Sequence, residues 1–340
     1  MPERDPDQDP RDRADARVDR DTSAAAVPIP SALRDVGRTP AGRAWLESLP
    51  GLVDAARTRW GLQLATPFST GQTAWTAPAR TRHGEEAVLK VVLPHEDAAG
   101  EAEALELWAG VPVAAAELLG RDGWTLLLRR YRPGHTLEDD PQLREERVEA
   151  RLEVAATVMG HLHVGPTENR PPSIRDLTSV TPDLADLLRE RAGRHAHVLA
   201  ADPGLLAAAA DLLDELPKEA RRTVLLHGDL NPRNLIADDD SGMRRWVAID
   251  PKPFVGDPAY DPWPLLAQLS DPFREPSPVA ELRARTRVVC AVVEMDPDRV
   301  AAWALARTCG SALWRVSERG DRDGALVELE QARVWSRLAG

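Results

Sequence analysis

Three side chains carry oxygen at a spacing that suits phosphoryl transfer: Asp229, Asn234 and Asp250. The first two lie in Leu226-His227-Gly228-Asp229-Leu230-Asn231-Pro232-Arg233-Asn234-Leu235-Ile236. The third closes the strand-like Trp246-Val247-Ala248-Ile249-Asp250, after a turn-like Asp238-Asp239-Asp240-Ser241-Gly242. Asp229 is placed to accept the proton of an attacking hydroxyl. Asn234 and Asp250 are placed to hold magnesium from two sides, since that ion takes oxygen ligands and shares them with substrate phosphates. Such a transfer asks the protein for positioning and charge neutralisation more than covalent chemistry. A His-Gly-Asp alone also fits a polar turn, and a strand can end in a capping Asp. With Asn234 and Asp250 both in place the chemical reading is preferred.

Other residues must then serve a nucleotide. Lys90 sits at the centre of Ala87-Val88-Leu89-Lys90-Val91-Val92-Leu93, where an unpaired ammonium is costly to desolvate. A lysine snorkelling from an edge strand is the alternative. If the strand roofs a nucleotide, Lys90 pairs with phosphates and with a helix carboxylate. Glu101 shares a helix face with Leu105 and Trp108 and so points inward, whereas Glu103 points to water. Glu101 is therefore the expected partner. Ser69-Thr70-Gly71 forms the candidate phosphate-covering turn by its position before Lys90; the chain has no GxGxxG and no P-loop. Arg130 and Tyr131 end an apolar strand before Pro133-Gly134, where backbone groups could read a base edge.

Two histidine readings are rejected. Nothing near His227 supplies a nucleophile for it to activate, so a structural bond from its ring to backbone near Asp250 is expected. His161 and His163, two apart on a helix, point apart and lack a third ligand. Asp257 and Asp261 flank Pro258-Ala259-Tyr260 and most simply cap the next helix. With Glu294 they are nonetheless the carboxylates to which a cationic substrate could bind.

The 340 residues suit two lobes. Hydrophobic residues make up 43%, enough for a core. The net charge of −12 disfavours a nucleic-acid partner and suits a cationic small molecule. Cys290 and Cys309 form no disulfide framework or zinc motif and should be buried. No apolar run reaches membrane-spanning length, and the acidic, Pro-rich start has no signal-peptide core, so a cytoplasmic protein is expected. Only Lys90, Lys218 and Lys252 are lysines among 43 Lys and Arg.

The expected fold is α+β and bilobal. Residues 1–28 form a disordered acidic and Arg-rich tail. Residues 29–132 form a small antiparallel-sheet lobe with one main helix. Residues 133–340 form a larger helical lobe carrying the chemistry. Strands are expected at 62–64, 74–76, 87–93, 113–118 and 124–131, with a turn at Gly120-Arg121-Asp122-Gly123. Helices are expected over 41–60 with an interruption at Pro50, then 96–108, 144–163, 181–199 and 203–216, and again beyond 260 with a break at 271–278.

The chain resembles the aminoglycoside phosphotransferase family of the protein-kinase-like superfamily, in particular the streptomycin 6-kinase and hydroxyurea phosphotransferase group. The His227-to-Asn234 loop is shared across the superfamily. Ile249-Asp250-Pro251-Lys252-Pro253, in a run on to Trp263, points to the narrower group; Gly42-Arg43-Ala44-Trp45-Leu46 and Glu101 to Gly110 also carry the resemblance. Arg129 stands where the family often has Glu. The resemblance implies a protein-kinase-like fold and an ATP- and Mg²⁺-dependent kinase acting on a small-molecule hydroxyl, with Asp229 as base. An aminoglycoside such as streptomycin is the first acceptor to consider, and hydroxyurea or an amino sugar the second. A catalytically inactive binding module is the rival from another class, and the intact set Lys90, Asp229, Asn234 and Asp250 argues against it. Oligomeric state is not readable.

Overall fold

The computed structural model describes residues 27–111, 115–143, 145–165, 170–199, 201–239, 242 and 244–340. Residues 1–26 of the expected tail, part of the expected 113–118 strand, the first residue of the expected 144–163 helix and residues 240–241 of the acidic turn lie outside the described residues. The chain divides into two units. One comprises residues up to Glu96 with Glu117–Arg130, the other Asp97–Ala116 with Tyr131–Gly340. Residues 97–116 thus belong with the second unit.

In the first unit helix α1, Pro40–Trp60, starts where the Thr39 side chain accepts the Gly42 amide and ends at left-handed Gly61. It runs unbroken through Pro50, which is exposed. Five strands form an antiparallel sheet: β1 Gln63–Leu64, β2 Ala74–Arg80, β3 Glu86–Val92, β4 Leu118–Asp122 and β5 Thr125–Arg129, in the order β1-β2-β3-β5-β4. Ala87, Leu89 and Val91 alternate onto one face, a period-two pattern, and join a core with Trp45, Leu49 and Val53 of α1. Strand β4 begins at Leu118, the last residue of the expected strand, and absorbs Gly120 to Asp122. The turn tightens to Gly123, whose φ of 55° suits glycine.

The second unit is mainly helical: α2 Glu101–Trp108, α3 Val148–Leu162, α4 Leu177–Leu199, α5 Pro203–Glu215, α6 Pro262–Gln268, α7 Pro278–Val293, α8 Pro297–Trp314 and α9 Arg322–Ser336. Asp-Pro pairs start several elements. The Asp202 and Asp296 side chains accept the amides of Gly204 and Asp298, while the proline has no N–H to lose at the first helical position. Helix α8 buries residues on nearly every side and packs against α4, α5, α6, α7 and α9. It carries Cys309, and α7 carries Cys290; burial pushes both thiols up to about 12, so neither is a reactive thiolate. Among the described residues no helix is long and apolar enough to cross a membrane.

Short strands interrupt the helices. Strands β6 Pro133–Thr136, β9 Leu235–Asp238 and β10 Arg245–Ala248 form one antiparallel sheet with β9 central. Strands β7 Arg175–Asp176, β8 Val224–Leu226 and β11 Phe254–Gly256 form another, β11 pairing parallel with β7 and antiparallel with β8.

Candidate active site

The loop from His227 to Asn234 joins β8 to β9, and its geometry follows from strand register. Leu235 pairs with Ala248, which brings Asn234 beside Ile249, whose amide donates to the Asn234 carbonyl at 2.9 Å. Leu226 pairs with Phe254, and the Lys252 amide donates to the His227 carbonyl at 2.8 Å. The start of the loop is thereby tied to 249–252. Gly228 is obligatory: its φ is +78°, and a Cβ there would lie 1.9 Å from the Lys252 carbonyl oxygen.

Within the loop the side chains divide their atoms. Asn234 Nδ2 donates to the Asp229 carbonyl at 2.9 Å, so its Oδ1 is the atom left to serve a ligand. Asn231 Nδ2 reaches Asp229 Oδ1 at 3.3 Å, and Asn231 Oδ1 accepts the Arg233 amide at 3.0 Å. Asp250 follows β10 with a φ of +58°, a conformation uncommon outside glycine but tolerated by Asp. Asn234 and Asp250 stand at the same end of the β9–β10 hairpin. The two provide an amide and a carboxylate oxygen, the donor set magnesium takes when phosphates and water complete its shell. Among the described residues no group of three or more His, Cys, Asp or Glu could hold a metal by itself.

His227 is buried and spends both ring nitrogens on backbone. Nε2 lies 3.0 Å from the Ile249 carbonyl, and Nδ1 accepts the Asp229 amide at 3.3 Å. Burial lowers its pKa, and the nearby Asp261, Asp229 and Asp250 carboxylates do not offset that. A neutral ring with the proton on Nε2 satisfies both contacts. Its face stacks on Trp108 of α2, centroids 6.3 Å apart.

Behind the loop lies Asp261, with no exposed surface. Oδ2 accepts the His227 amide at 2.9 Å and meets His163 Nε2 at 3.0 Å; Oδ1 accepts the Gly228 amide at 2.8 Å. Burial alone would raise its pKa, yet these bonds hold it below the ordinary carboxylate value. Asp257 is spent in the same way. Its Oδ1 accepts the Ala259 amide at 3.1 Å, and its Oδ2 takes Arg299 Nε at 2.6 Å and Trp303 Nε1 at 2.7 Å. The expectation that Asp257 and Asp261 face a cationic substrate is therefore corrected: both are buried and their oxygens are engaged inside the protein. Glu294 remains exposed, at the left-handed end of α7.

Two residues that the sequence reading passed over enter the site. Lys252 Nζ donates to Asp229 Oδ2 at 2.7 Å. Burial lowers the Lys252 pKa, but the carboxylates of Asp229, Asp250 and Asp97 outweigh it and the net shift is upward. The scarcity of lysine that singles out Lys90 would also have singled out Lys252. Arg307 of α8 donates to the Gly228 carbonyl at 3.0 Å and to the Tyr260 carbonyl at 2.8 Å, with its guanidinium 3.8 Å from the Tyr260 ring centroid. Nothing in its helical surroundings signalled that role. His163, rejected as a metal ligand, is a partner of Asp261.

The residues expected to serve the nucleotide are placed as follows. Lys90 lies in mid-β3, 6% exposed, between Thr76 of β2 and Leu126 of β5. Ser69, Thr70 and Gly71 are exposed in the loop before β2, and Gly71 has a φ of +110°. Arg130 follows β5, its amide donating to the Glu86 carbonyl; Tyr131 comes next and is half-buried. Glu101 opens α2 in the second unit, 2% exposed, with Leu105 and Trp108 buried on the same helix. Arg129 makes a surface ion pair with Glu117 at 3.4 Å.

The chain has relatives among known proteins. Residues 59–320 match the family model described as aminoglycoside/hydroxyurea antibiotic resistance kinase. The chain is 36% identical over 313 residues to hydroxyurea phosphotransferase of Kitasatospora aureofaciens, covering 91% of this chain and 85% of that protein. It is 32% identical over 300 residues to streptomycin 6-kinase of Streptomyces glaucescens, covering 86% and 91%. In fold it is similar to aminoglycoside 2'-phosphotransferase-IIIa, solved as a GDP complex, with a TM-score of 0.59 at 17% identity over 83% of this chain and 97% of that one. The chain belongs to the aminoglycoside/hydroxyurea antibiotic resistance kinase family and has its protein-kinase-like fold, a phosphotransferase that acts on small molecules.

Proposed function

We propose that this chain transfers the terminal phosphoryl group of ATP to a hydroxyl of an aminoglycoside-type antibiotic such as streptomycin, with Mg²⁺, in the cytoplasm. The observation that carries the reading is the Asp229–Asn234–Asp250 constellation at the joined ends of β8, β9 and β10. Asp229 accepts the acceptor's hydroxyl proton as the acceptor oxygen attacks phosphorus and the bond to the diphosphate breaks. Asn234 Oδ1 and the Asp250 carboxylate would hold magnesium, which supplies charge neutralisation on the nucleotide phosphates. His227, Asp261 and Arg307 keep the loop that bears Asp229 in shape. To the nucleotide we also assign Lys90, Glu101, the Ser69-Thr70-Gly71 turn and the backbone of Arg130 and Tyr131. Glu294 is the remaining carboxylate proposed for a cationic acceptor.

A second reading, phosphorylation of hydroxyurea, has a specific observation behind it. Two of the three carboxylates expected to meet a cation, Asp257 and Asp261, are spent internally. Nucleotide consumption with ATP and with GTP, measured with streptomycin, other aminoglycosides, hydroxyurea and amino sugars, decides between the two. Turnover with streptomycin supports the first, turnover with hydroxyurea alone supports the second, and turnover with none of them overturns both.

A further inference from the structure

The Lys252–Asp229 contact is unexplained by a base that only accepts a proton. Lys252 is fixed at its backbone by the bond to His227 and by the tight approach to Gly228. Its side chain reaches Asp229 Oδ2 while remaining 40% exposed. An ammonium carries three donors, and one is used on Asp229. A hydroxyl bonded to the Asp229 carboxylate lies about 2.7 Å from it. The phosphorus it attacks lies about 3–3.5 Å further on in a reactive arrangement. An ammonium 2.7 Å from the same carboxylate shares that carboxylate with the hydroxyl and sits on the reacting side of it. A chain that uses arginine for nearly all its cations keeps here the more compact point charge.

We propose that Lys252 is a second catalytic residue, whose ammonium both orients the Asp229 carboxylate and contacts an oxygen of the phosphoryl group being transferred. The role rests on the phosphotransferase reading above. As the acceptor oxygen–phosphorus bond forms, the bond from phosphorus to the diphosphate oxygen breaks. The acceptor's proton goes to Asp229, and the electron pair leaves on the nucleoside diphosphate. Negative charge spreads over the equatorial phosphoryl oxygens, and Lys252 meets it there.

The test compares wild type with Lys252→Met and Lys252→Arg. It reads turnover of streptomycin and hydroxyurea, acceptor-free ATP hydrolysis, and calorimetric affinity for ADP with aluminium fluoride, a mimic of the phosphoryl group in flight. For Lys252→Met the expected result is a loss of kcat of about 10²-fold, the scale of one transition-state donor. The KM for ATP should stay within a few-fold, and affinity for the aluminium fluoride complex should fall with kcat. Lys252→Arg keeps the charge and should fall between the two, which serves if the methionine variant does not fold. In an Asp229→Ala background Lys252→Met should lower residual ATP hydrolysis further, since a residue acting only through Asp229 would add nothing there. A kcat within about threefold of wild type, or unchanged aluminium fluoride affinity with no added loss in the Asp229→Ala background, overturns the role of Lys252 alone. A wild-type chain that consumes no ATP under any of these conditions overturns the phosphotransferase reading as well.

Discussion

Two pairs of aspartates lie within one stretch of this chain and meet opposite fates. Asp229 and Asp250 stand where strands β8, β9 and β10 release loop residues, and Asp229 keeps 23% of its side chain exposed beside a lysine. Asp257 and Asp261, only a few residues further on, are buried, and their oxygens are filled by backbone amides, Arg299, Trp303 and His163. Residue type is the same; what differs is burial, since Asp229 and Asp250 keep exposed surface and Asp257 and Asp261 are buried. A carboxylate sealed inside the protein can only hold a shape, whereas one with exposed surface can also meet a ligand. Asp261 also shapes the loop that bears Asp229, because it holds the amides of His227 and Gly228, the two residues before Asp229.

The difference can be pressed from the scaffold side first, where the largest effect is expected. Asp261→Ala leaves His163 without its carboxylate and two buried amides without an acceptor. Breaking a buried pair of this kind costs about 3–5 kcal/mol, and chemical denaturation should show a drop of that order. An unchanged denaturation midpoint would make Asp261 dispensable to the scaffold.

On the reactive side, ATP with magnesium at 100 times its Kd should stabilise the wild type by about 2.7 kcal/mol. Asp250→Asn should remove most of that gain without lowering the stability of the ligand-free protein. If ATP and magnesium raise its melting temperature as much as in wild type, Asp250 is not a ligand.

A smaller, pH-dependent effect should separate the two sets. The folded-state pKa of His227 is below its ordinary 6.5 because the ring is buried, so its contribution is fully present above pH 6.5 and is lost as pH falls toward the folded pKa. Thermal melts of wild type and His227→Asn should therefore differ most near pH 7.5 and converge as pH drops below 6.5. Asp261, held below its ordinary 3.8, loses its contribution in the same sense only at lower pH, as pH falls through its folded pKa. A gap that widens on acidification from pH 7.5 to 5.5 would contradict a buried neutral His227.

The smallest expected effect is at Glu294. An exposed carboxylate pairing with a cation is worth up to about 1 kcal/mol, so Glu294→Gln should raise the streptomycin KM by roughly two- to fivefold at low salt, and less at high salt. A neutral acceptor should show neither change, and an unmoved streptomycin KM at low salt would remove Glu294 from the acceptor site.

Much of this was legible in the sequence, and the reasons are local. The antiparallel sheet was legible in the apolar stretch from Ala87 to Leu93, where Ala87, Leu89 and Val91 alternate onto the core, and the helices in their apolar periodicity. The loop from His227 to Asn234 was visible as a candidate site because its residues are close in sequence and chemically unusual together. What was not legible depends on distant register. The Lys252–Asp229 bond exists because β11 pairs with β8, and the fate of Asp257 depends on Arg299 and Trp303, more than forty residues away. Strand β4 was misplaced because Gly120, Arg121 and Asp122 favour turns, while pairing with β5 overrides that preference.

The central claim is that Asp229 is spent on chemistry and not on holding the fold. The most direct measurement is Asp229→Asn, with phosphoryl transfer to streptomycin and hydroxyurea and the melting temperature determined on one preparation. The account predicts a rate at least about 10²-fold below wild type, with a melting temperature and ATP-induced stabilisation close to wild type. Wild-type turnover in this variant, or a loss of rate that merely follows a loss of fold, would contradict it.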